Sequence, residues 1–186
     1  MKRILILASC VWLAAAGPAL AQYSSQPTSD RERRQALLAK GRTPDAAFVI
    51  AAAQSAFASA AFASLAADKA SNAAVKTFAK RIAADTGRMA EELKPLLKVQ
   101  RAPLPTAFDE RNKAVHDWLA KLSGPAFDRA YMSNMSAMRA SDVMVFGRAA
   151  ARAHDADVKA WASKTLPQLE ADEQSAKEIG RRIRLD

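Results

Sequence analysis

Apolar side chains recur at helical spacing through most of this chain, most clearly over residues 72–98. In that stretch one stripe is formed by Val75, Phe78, Ile82, Met89, Leu93 and Leu96. Such spacing is typical of an amphipathic helix whose apolar side packs on a core. A single polar residue, Thr86, interrupts the stripe near its middle.

The same spacing predicts three further long helices. The first begins at Thr43, a suitable N-cap, with Pro44 in the first turn, and it runs to about Asp68. Its many alanines favour a helix and let a neighbouring helix approach closely. The other two are predicted from about 126 to 153 and from 156 to about 182. Pro167 lies inside the last pattern and predicts a kink or a short interruption.

The connection between the second and third long helices carries its own short helix. We predict that it begins at Thr106 as N-cap, ends at Leu122 and carries Val115, Trp118 and Leu119. No stretch has the alternation of a strand. The predicted fold class is therefore all-α, an antiparallel four-helix bundle with an extra short helix between helices 2 and 3.

The first 21 residues have the pattern of a cleaved signal peptide. Lys2 and Arg3 precede an apolar run, and Ala19-Leu20-Ala21 predicts cleavage before Gln22. Alternatively, the residues up to Cys10 resemble the lipobox of bacterial lipoproteins. The apolar run continues well beyond Cys10, which favours ordinary secretion. The predicted location is the periplasm, and no transmembrane segment is predicted in the mature chain.

The mature chain divides into an N-terminal arm and one domain. Residues 22–42 are predicted to be a flexible arm or a short helix over 30–40 (DRERRQALLAK), and residues 43–186 the bundle domain. Cys10, the only cysteine, leaves with the signal peptide, so no disulfide or thiol chemistry is expected. The net charge is positive, yet export and the lack of basic-aromatic alternation argue against nucleic acid as a partner.

Each long helix carries one polar residue near its midpoint. Because midpoints of antiparallel helices of similar length meet, we expect one polar layer in the core, formed by Ser59, Thr86, Arg139 and Asp172. A buried charge needs a partner, so Arg139 and Asp172 are predicted to pair. If they do, Asp172→Ala should cost about 3–5 kcal/mol of stability. In the alternative, Arg139 lies at the rim with its guanidinium in water.

From about Asp45 to Arg182 the chain resembles the bacterial exported domain-of-unknown-function 4142 family, which is related to ferritin-like bundles. The resemblance rests on several short motifs taken in order: Phe48-Val49 with Ala52-Ala53, Val75-Lys76-Thr77-Phe78-Ala79 leading to Asp85, Ser123-Gly124, Phe127-Asp128-Arg129-Ala130-Tyr131-Met132, Val158-Lys159-Ala160-Trp161-Ala162 and Leu166-Pro167-Gln168-Leu169.

The resemblance implies a ferritin-like fold, and it also shows a departure. Members of the family commonly have Glu, His, His and His at the positions of Ser59, Thr86, Arg139 and Asp172. Such a set would look like a metal site, whereas this chain keeps one possible ligand and places a cation among them. We therefore predict no metal site and no cofactor.

Two classes of function follow. The first is an exported, non-enzymatic binding or envelope-stress module with a degenerate metal site, whose partner is an envelope protein. The alternative is a ferritin-like metal-handling or redox protein, or a binder of a small anionic ligand that uses Arg139. No nucleophile, general base or ligand set is recognisable in the predicted core, so an enzyme is the less favoured class.

Overall fold

The computed structural model of this protein describes residue 35 and residues 42–185. The predicted signal peptide at 1–21 and most of the arm at 22–42 lie outside the described residues. Five helices follow in order and we number them α1 to α5: Pro44–Lys69, Ala73–Val99, Glu110–Ala120, Gly124–Arg152 and Ala156–Leu185. No strand occurs within the described residues, so the predicted all-α class is confirmed.

Polar side chains fix the starts of the first two helices as predicted. The hydroxyl of Thr43 accepts the backbone N–H of Ala46 at 3.1 Å, and Pro44 occupies the first turn of α1. Asn72 caps α2 by accepting the N–H of Ala74 at 2.8 Å. Each cap satisfies donors that the first turn of a helix leaves without an internal partner.

The short helix differs from its prediction at its start and, by two residues, at its end. It begins at Glu110 and not after Thr106, because the carboxylate of Asp109 accepts the N–H of Asn112 at 2.8 Å and acts as the cap. Leu119 is fully buried, whereas Trp118 is 49% exposed.

The third long helix begins two residues before its predicted start, and no interruption occurs at Pro167. The helix α4 already begins at Gly124, whose φ of +58° suits a residue without a Cβ. The helix α5 continues unbroken through Pro167. Because proline has no N–H, Pro167 cannot donate to the carbonyl of Ser163, four residues earlier. Both residues are exposed, so water can reach that carbonyl.

Contacts between helices establish their directions. Along α1 and α4, Ser55 contacts Asp142, while Ser71 just after α1 contacts Asp128 near the start of α4, so these helices are antiparallel. The helices α2 and α5 are antiparallel by the same reasoning, since Glu92 bonds Trp161 at one end and the pair Arg81–Asp172 lies further along. The helices therefore pack as two hairpins, α1–α2 and α4–α5, side by side.

The connection between the hairpins runs the length of the bundle. Gln100, just after α2, donates to Asp155 in the α4–α5 joint at 2.9 Å. By contrast, α4 begins at the opposite end, beside the α1–α2 joint. On its way the connection crosses the surface formed by α1 and α4, where Phe108 lies against Phe57 and Phe62 with ring centroids 5.3 and 6.3 Å apart. We call this surface the α1–α4 face.

Each joint is held by a buried aspartate from the other hairpin. Asp128 of α4 accepts the N–H of Ser71 at 3.1 Å and that of Asn72 at 2.9 Å, in the α1–α2 joint. Asp45 of α1 accepts the N–H of His154 at 3.0 Å and that of Asp155 at 2.8 Å, in the α4–α5 joint. The two hairpins thus complete each other's turns.

The apolar core has two parts, separated by a polar layer. The part near the α1–α2 joint includes Phe62, Ile82, Phe127, Tyr131 and Met135. The part near the α4–α5 joint includes Phe48, Leu93, Phe146, Trp161 and Leu169. In the second part the rings of Phe48 and Phe146 meet edge to face with centroids 5.0 Å apart.

One of the described helices, α1, is long and apolar enough to cross a membrane by length and composition alone. Most of its apolar window, 61%, is buried within the protein. A core helix of a water-exposed bundle has the same properties, so this finding is weak evidence for a membrane span.

Candidate functional site

The polar layer contains all four residues singled out in the sequence. Ser59, Thr86, Arg139 and Asp172 are 0%, 4%, 3% and 2% exposed. Burial of Arg139 means that its guanidinium is not at the rim, which was the alternative. A buried cation must then be matched by carboxylates and hydrogen bonds inside the bundle.

Arg139 finds its closest partner on its own helix. One terminal nitrogen donates to Asp142 Oδ2 at 2.6 Å, and the other donates to the hydroxyl of Ser59 at 3.1 Å. Nε lies 3.8 Å from Asp172 Oδ2, too far for a hydrogen bond. The predicted Arg139–Asp172 pair is therefore present only as a longer ion pair, and Asp142 carries the short contact.

Asp172 lies between two helices and has partners on both. Gln168 donates to Asp172 Oδ1 at 2.9 Å, and Arg81 of α2 approaches the same oxygen to 3.3 Å. Burial raises the pKa of the Asp172 carboxyl above its usual range, against the opposing effects of Arg139, Gln168 and Arg81. Desolvation thus outweighs the attraction of the nearby cations.

Thr86 is buried in this region but uses its hydroxyl locally. Its Oγ1 donates to the carbonyl oxygen of Ile82 at 2.6 Å, one turn earlier in α2. This bond satisfies the hydroxyl without a partner from another helix. The hydroxyl therefore serves its own helix and makes no bond to the charged pair.

Tyr131 completes the surroundings of the layer. Its side chain is fully buried, and its hydroxyl has no hydrogen-bond partner within the described part of the chain. Burial raises the pKa of this phenol, Arg139 opposes the shift and Asp172 adds to it. The phenol therefore stays neutral while it faces both charges.

The layer does not fit a divalent metal ion. The guanidinium of Arg139 stands among the carboxylates that would have to serve as ligands, 2.6 Å from Asp142 and 3.8 Å from Asp172. Among the described residues no group of three or more His, Cys, Asp or Glu side chains is placed to hold a metal ion. A fixed cation at that position would repel a second one.

Sequence reasoning missed several members of this network. Asp142 stands three residues after Arg139, a helical spacing that brings side chains together and could have indicated the pair. Ser55, one turn before Ser59, donates to both oxygens of Asp142 at 2.8 and 2.9 Å. The sequence did not indicate that Arg81 and Gln168 contact Asp172, because both lie on helix surfaces whose sequence pattern is that of solvent-exposed residues.

A large cleft opens on the α1–α4 face next to the polar layer. Its volume is about 1210 Å³. Its walls are the first three turns of α1, the second half of α4 and one side of α3. Most of its lining is apolar, including Phe48, Ile50, Val115, Val145 and Phe146. Trp118, exposed on α3, also lines the cleft.

The cleft also has polar groups on its floor and at its rim. The half-buried side chains of Gln54 and Asn134 belong to its lining. Gln54 Oε1 and Asn134 Nδ2 are themselves buried behind that lining and have no hydrogen-bond partner within residues 42–185. Three exposed cations lie around the rim: Arg111, Arg148 and Arg152.

Asp142 joins the polar layer to the cleft. Both Asp142 and Ser55 line the cleft, while Arg139 lies behind them. The cleft thus presents a carboxylate and a hydroxyl, and the guanidinium of Arg139 lies behind them. This arrangement gives little support to Arg139 as a direct anchor for an anion, although that role stays a prediction.

Comparison with known proteins gives a family and no characterised relative. No curated protein and no solved structure matches the chain. The model of one family, described as a domain of unknown function (DUF4142), matches residues 29–179, which is most of the chain. The predicted resemblance is confirmed, and the chain belongs to the DUF4142 family of domains of unknown function.

Proposed function

We propose that this protein is an exported, non-enzymatic binding module of the periplasm, and that it binds an amphipathic helix of a partner protein in the cleft on the α1–α4 face. The single observation that carries the proposal is the cleft itself, about 1210 Å³ in volume, largely apolar and rimmed by exposed arginines. Helix-in-groove binding is a common mode of peptide recognition.

The size of the cleft favours a helix over a small molecule. Typical small-molecule pockets enclose about 300–1,000 Å³. At about 1210 Å³ the cleft exceeds that range, and it runs along the first three turns of α1, about 16 Å.

The lining indicates the chemistry of the partner helix. Apolar side chains such as Ile50 and Val145 would receive its apolar stripe, and the exposed ring of Trp118 would cover its edge. Arg148 and Arg152 at the rim would pair with carboxylates on its flank. We therefore propose a partner helix with leucine-like residues on one side and acidic residues beside them.

The remaining parts of this proposal rest on sequence. Export follows from the signal-peptide pattern at 1–21. We propose that Arg139 stands where other members of the family have a metal ligand. The polar layer would then have a structural role and bind no metal. A long crossover between two helical hairpins is also the connectivity of ferritin-like bundles, which supports that relationship as a proposal.

A fluorescein-labelled amphipathic peptide of leucine, alanine and glutamate tests the cleft. We expect saturable binding to the chain without residues 1–21, followed by fluorescence anisotropy. Ala137 lines the cleft and is exposed, so Ala137→Trp should fill part of it and weaken binding at least tenfold, about 1.4 kcal/mol.

The matched control is Ala84→Trp, which places the same ring on an exposed position of α2 away from the cleft. This variant should bind the peptide as the unmodified chain does. Absence of saturable binding, or equal weakening by both tryptophan variants, would contradict the proposal.

A further inference from the structure

Two of the four large apolar side chains that are exposed in the described part of the chain stand close together in sequence, at the end of α2. Val99, the last residue of α2, is 64% exposed, and Leu104, five residues later, is 54% exposed. The other two, Trp118 and Met144, lie on α3 and α4. Single exposed apolar residues are common on protein surfaces, so this pair alone does not identify a site.

The turn after α2 has a fixed backbone. The N–H of Ala102 donates to the carbonyl oxygen of Leu97 at 2.8 Å, and that of Arg101 donates to the carbonyl oxygen of Lys98 at 3.2 Å. This is the pattern of a Schellman motif, which commonly has glycine at the position of Arg101. Arg101 adopts a φ of +48°, which costs free energy for a residue with a Cβ. A side chain kept at such a position points to a use for it.

The surroundings of the turn are cationic. No acidic residue occurs between Glu92 and Asp109. Lys98 and Arg101 are both exposed, and within residues 42–185 neither takes part in an ion pair. The guanidinium of Arg42 donates to the carbonyl oxygen of Arg101 at 2.8 Å and brings a third cation to the turn. The exposed apolar pair is therefore accompanied by cations and by no carboxylate of its own segment.

Four residues form what we call the α2 tip: Lys98, Val99, Arg101 and Leu104. The tip lies at the end of the bundle that contains the α4–α5 joint, since Gln100 donates to Asp155 there. None of its residues lines the cleft. It is therefore a second surface, separate from the one in the proposed function.

We propose that the α2 tip docks on the surface of a bilayer that contains anionic phospholipid. Val99 and Leu104 enter the boundary between headgroups and acyl chains, while Lys98 and Arg101 pair with lipid phosphates. Apolar insertion and attraction to anionic headgroups are the two contributions that hold proteins at such a surface. Because the tip has no carboxylate, it has no charge that the lipid phosphates would repel.

A bilayer fits this surface better than a partner protein does. Stable protein–protein interfaces use about 20–30 residues on each side, many more than the tip offers. Each cation near an anionic bilayer strengthens binding by about fivefold, so a few residues suffice. Arg152 and Lys159, exposed at the same end of the bundle, add to the attraction, and the exposed Asp157 opposes it.

Co-sedimentation with vesicles tests the docking, using the chain without residues 1–21. We expect binding to vesicles of equal parts phosphatidylcholine and phosphatidylglycerol at about 50 mM salt, weaker binding at about 500 mM, and little binding to phosphatidylcholine alone. Val99→Ser together with Leu104→Ser should weaken binding by about tenfold or more. Met144→Ser, which removes another exposed apolar side chain, is the matched control and should bind as the unmodified chain does.

Charge reversals separate the tip from the charge of the whole protein. Lys98→Glu together with Arg101→Glu should weaken vesicle binding by about tenfold or more. Lys76→Glu together with Lys80→Glu changes the net charge equally, at exposed positions of α2 nearer the α1–α2 joint. This control pair should weaken binding much less.

Arg101→Gly gives a readout that a purely structural role would not produce. Glycine suits the φ of +48°, so the midpoint of urea unfolding should rise while vesicle binding falls. Vesicle binding that is unchanged by this variant would contradict the use of the Arg101 side chain in docking.

A fluorescent label reports which part of the chain meets the bilayer. The chain without residues 1–21 has no cysteine, so Leu104→Cys and, in a separate chain, Ala67→Cys can each be labelled with NBD. Ala67 is exposed near the opposite end of the bundle. When anionic vesicles are added, NBD emission should rise and shift to shorter wavelength at position 104 and stay unchanged at position 67.

Three results would overturn the docking: no salt-sensitive binding to anionic vesicles, equal weakening by the two charge-reversed pairs, or equal NBD responses at the two labelled positions. An NBD response at position 104 to protein concentration without vesicles would show that a second copy of the chain covers the tip, and would also overturn it. None of these results depends on the cleft, so the proposed function is tested separately.

Discussion

Arg139 keeps its charge inside the bundle because carboxylates from two helices surround its guanidinium. Asp142 supplies the short contact of 2.6 Å and Asp172 the longer one of 3.8 Å. Ser59 accepts a further hydrogen bond, and Ser55 orients Asp142 from the side of the cleft. A network of this kind stabilises the fold only while every charge retains its partner.

Asp142→Asn should therefore destabilise the protein strongly. It removes the carboxylate closest to a guanidinium whose side chain is 4% exposed, and the expected loss is about 3 kcal/mol in the free energy of unfolding. Urea denaturation at neutral pH measures it. Glu170→Gln, an exposed change on α5, should leave the midpoint unchanged. A similar midpoint for both variants would show that Asp142 does not carry the buried pair.

Asp172 should make stability depend on pH in the direction opposite to most salt-bridged carboxylates. Its pKa is raised in the folded protein by burial, although Arg139, Gln168 and Arg81 oppose the shift and Asp85 adds to it. Between the unfolded pKa, 3.8, and the raised folded pKa, the folded state holds more protons, so stability falls as pH rises.

The comparison that isolates this effect is the unmodified chain against Asp172→Asn, in urea at a series of pH values from about 3.5 to 7. The advantage of the unmodified chain should be largest at the acid end and shrink as the pH rises through the folded pKa. An advantage that grows with pH would mean that Arg139 and Arg81 stabilise the charged form more than burial destabilises it.

At the scale of the helices, capping decides where the elements begin and how they are joined. Thr43, Asn72 and Asp109 each accept N–H groups of the following turn. The first two caps were predictable from sequence because each directly precedes its apolar pattern. Asp109 was missed because Thr106 offers an equally good residue type, and the choice depends on where Phe108 can pack on α1.

Asp128→Ala tests the joint between α1 and α2. The change leaves the N–H groups of Ser71 and Asn72 without their buried acceptor, and we expect a loss of about 2–4 kcal/mol in the free energy of unfolding. Asp128→Asn keeps an acceptor and should lose less. Thermal and urea unfolding measure both, with the exposed Asp68→Ala as the matched control near the same joint. Equal stability of Asp128→Ala and Asp68→Ala would contradict this role.

At the scale of the whole molecule, the sequence predicts the helices well and the contacts between side chains of different helices poorly. Four long helices, their lengths and their buried midpoints follow from local spacing, which depends on residues close together in the chain. The contacts that Arg139 makes with other helices, to Ser59 and Asp172, depend on the rotation of each helix about its axis, whereas its short contact with Asp142 lies within α4. The cleft depends on which surface the crossover leaves open, and a single pass along the sequence contains no signal for that.

The crossed aspartates have a consequence for how this protein loses its structure. Turns between helices are normally where a bundle opens first. Here the α1–α2 turn is closed by Asp128 of the second hairpin, and the α4–α5 turn by Asp45 of the first. Fraying at either end therefore requires the hairpins to separate, which couples local opening to global unfolding. The two walls of the cleft that α1 and α4 form belong to different hairpins, so the same aspartate contacts hold them together.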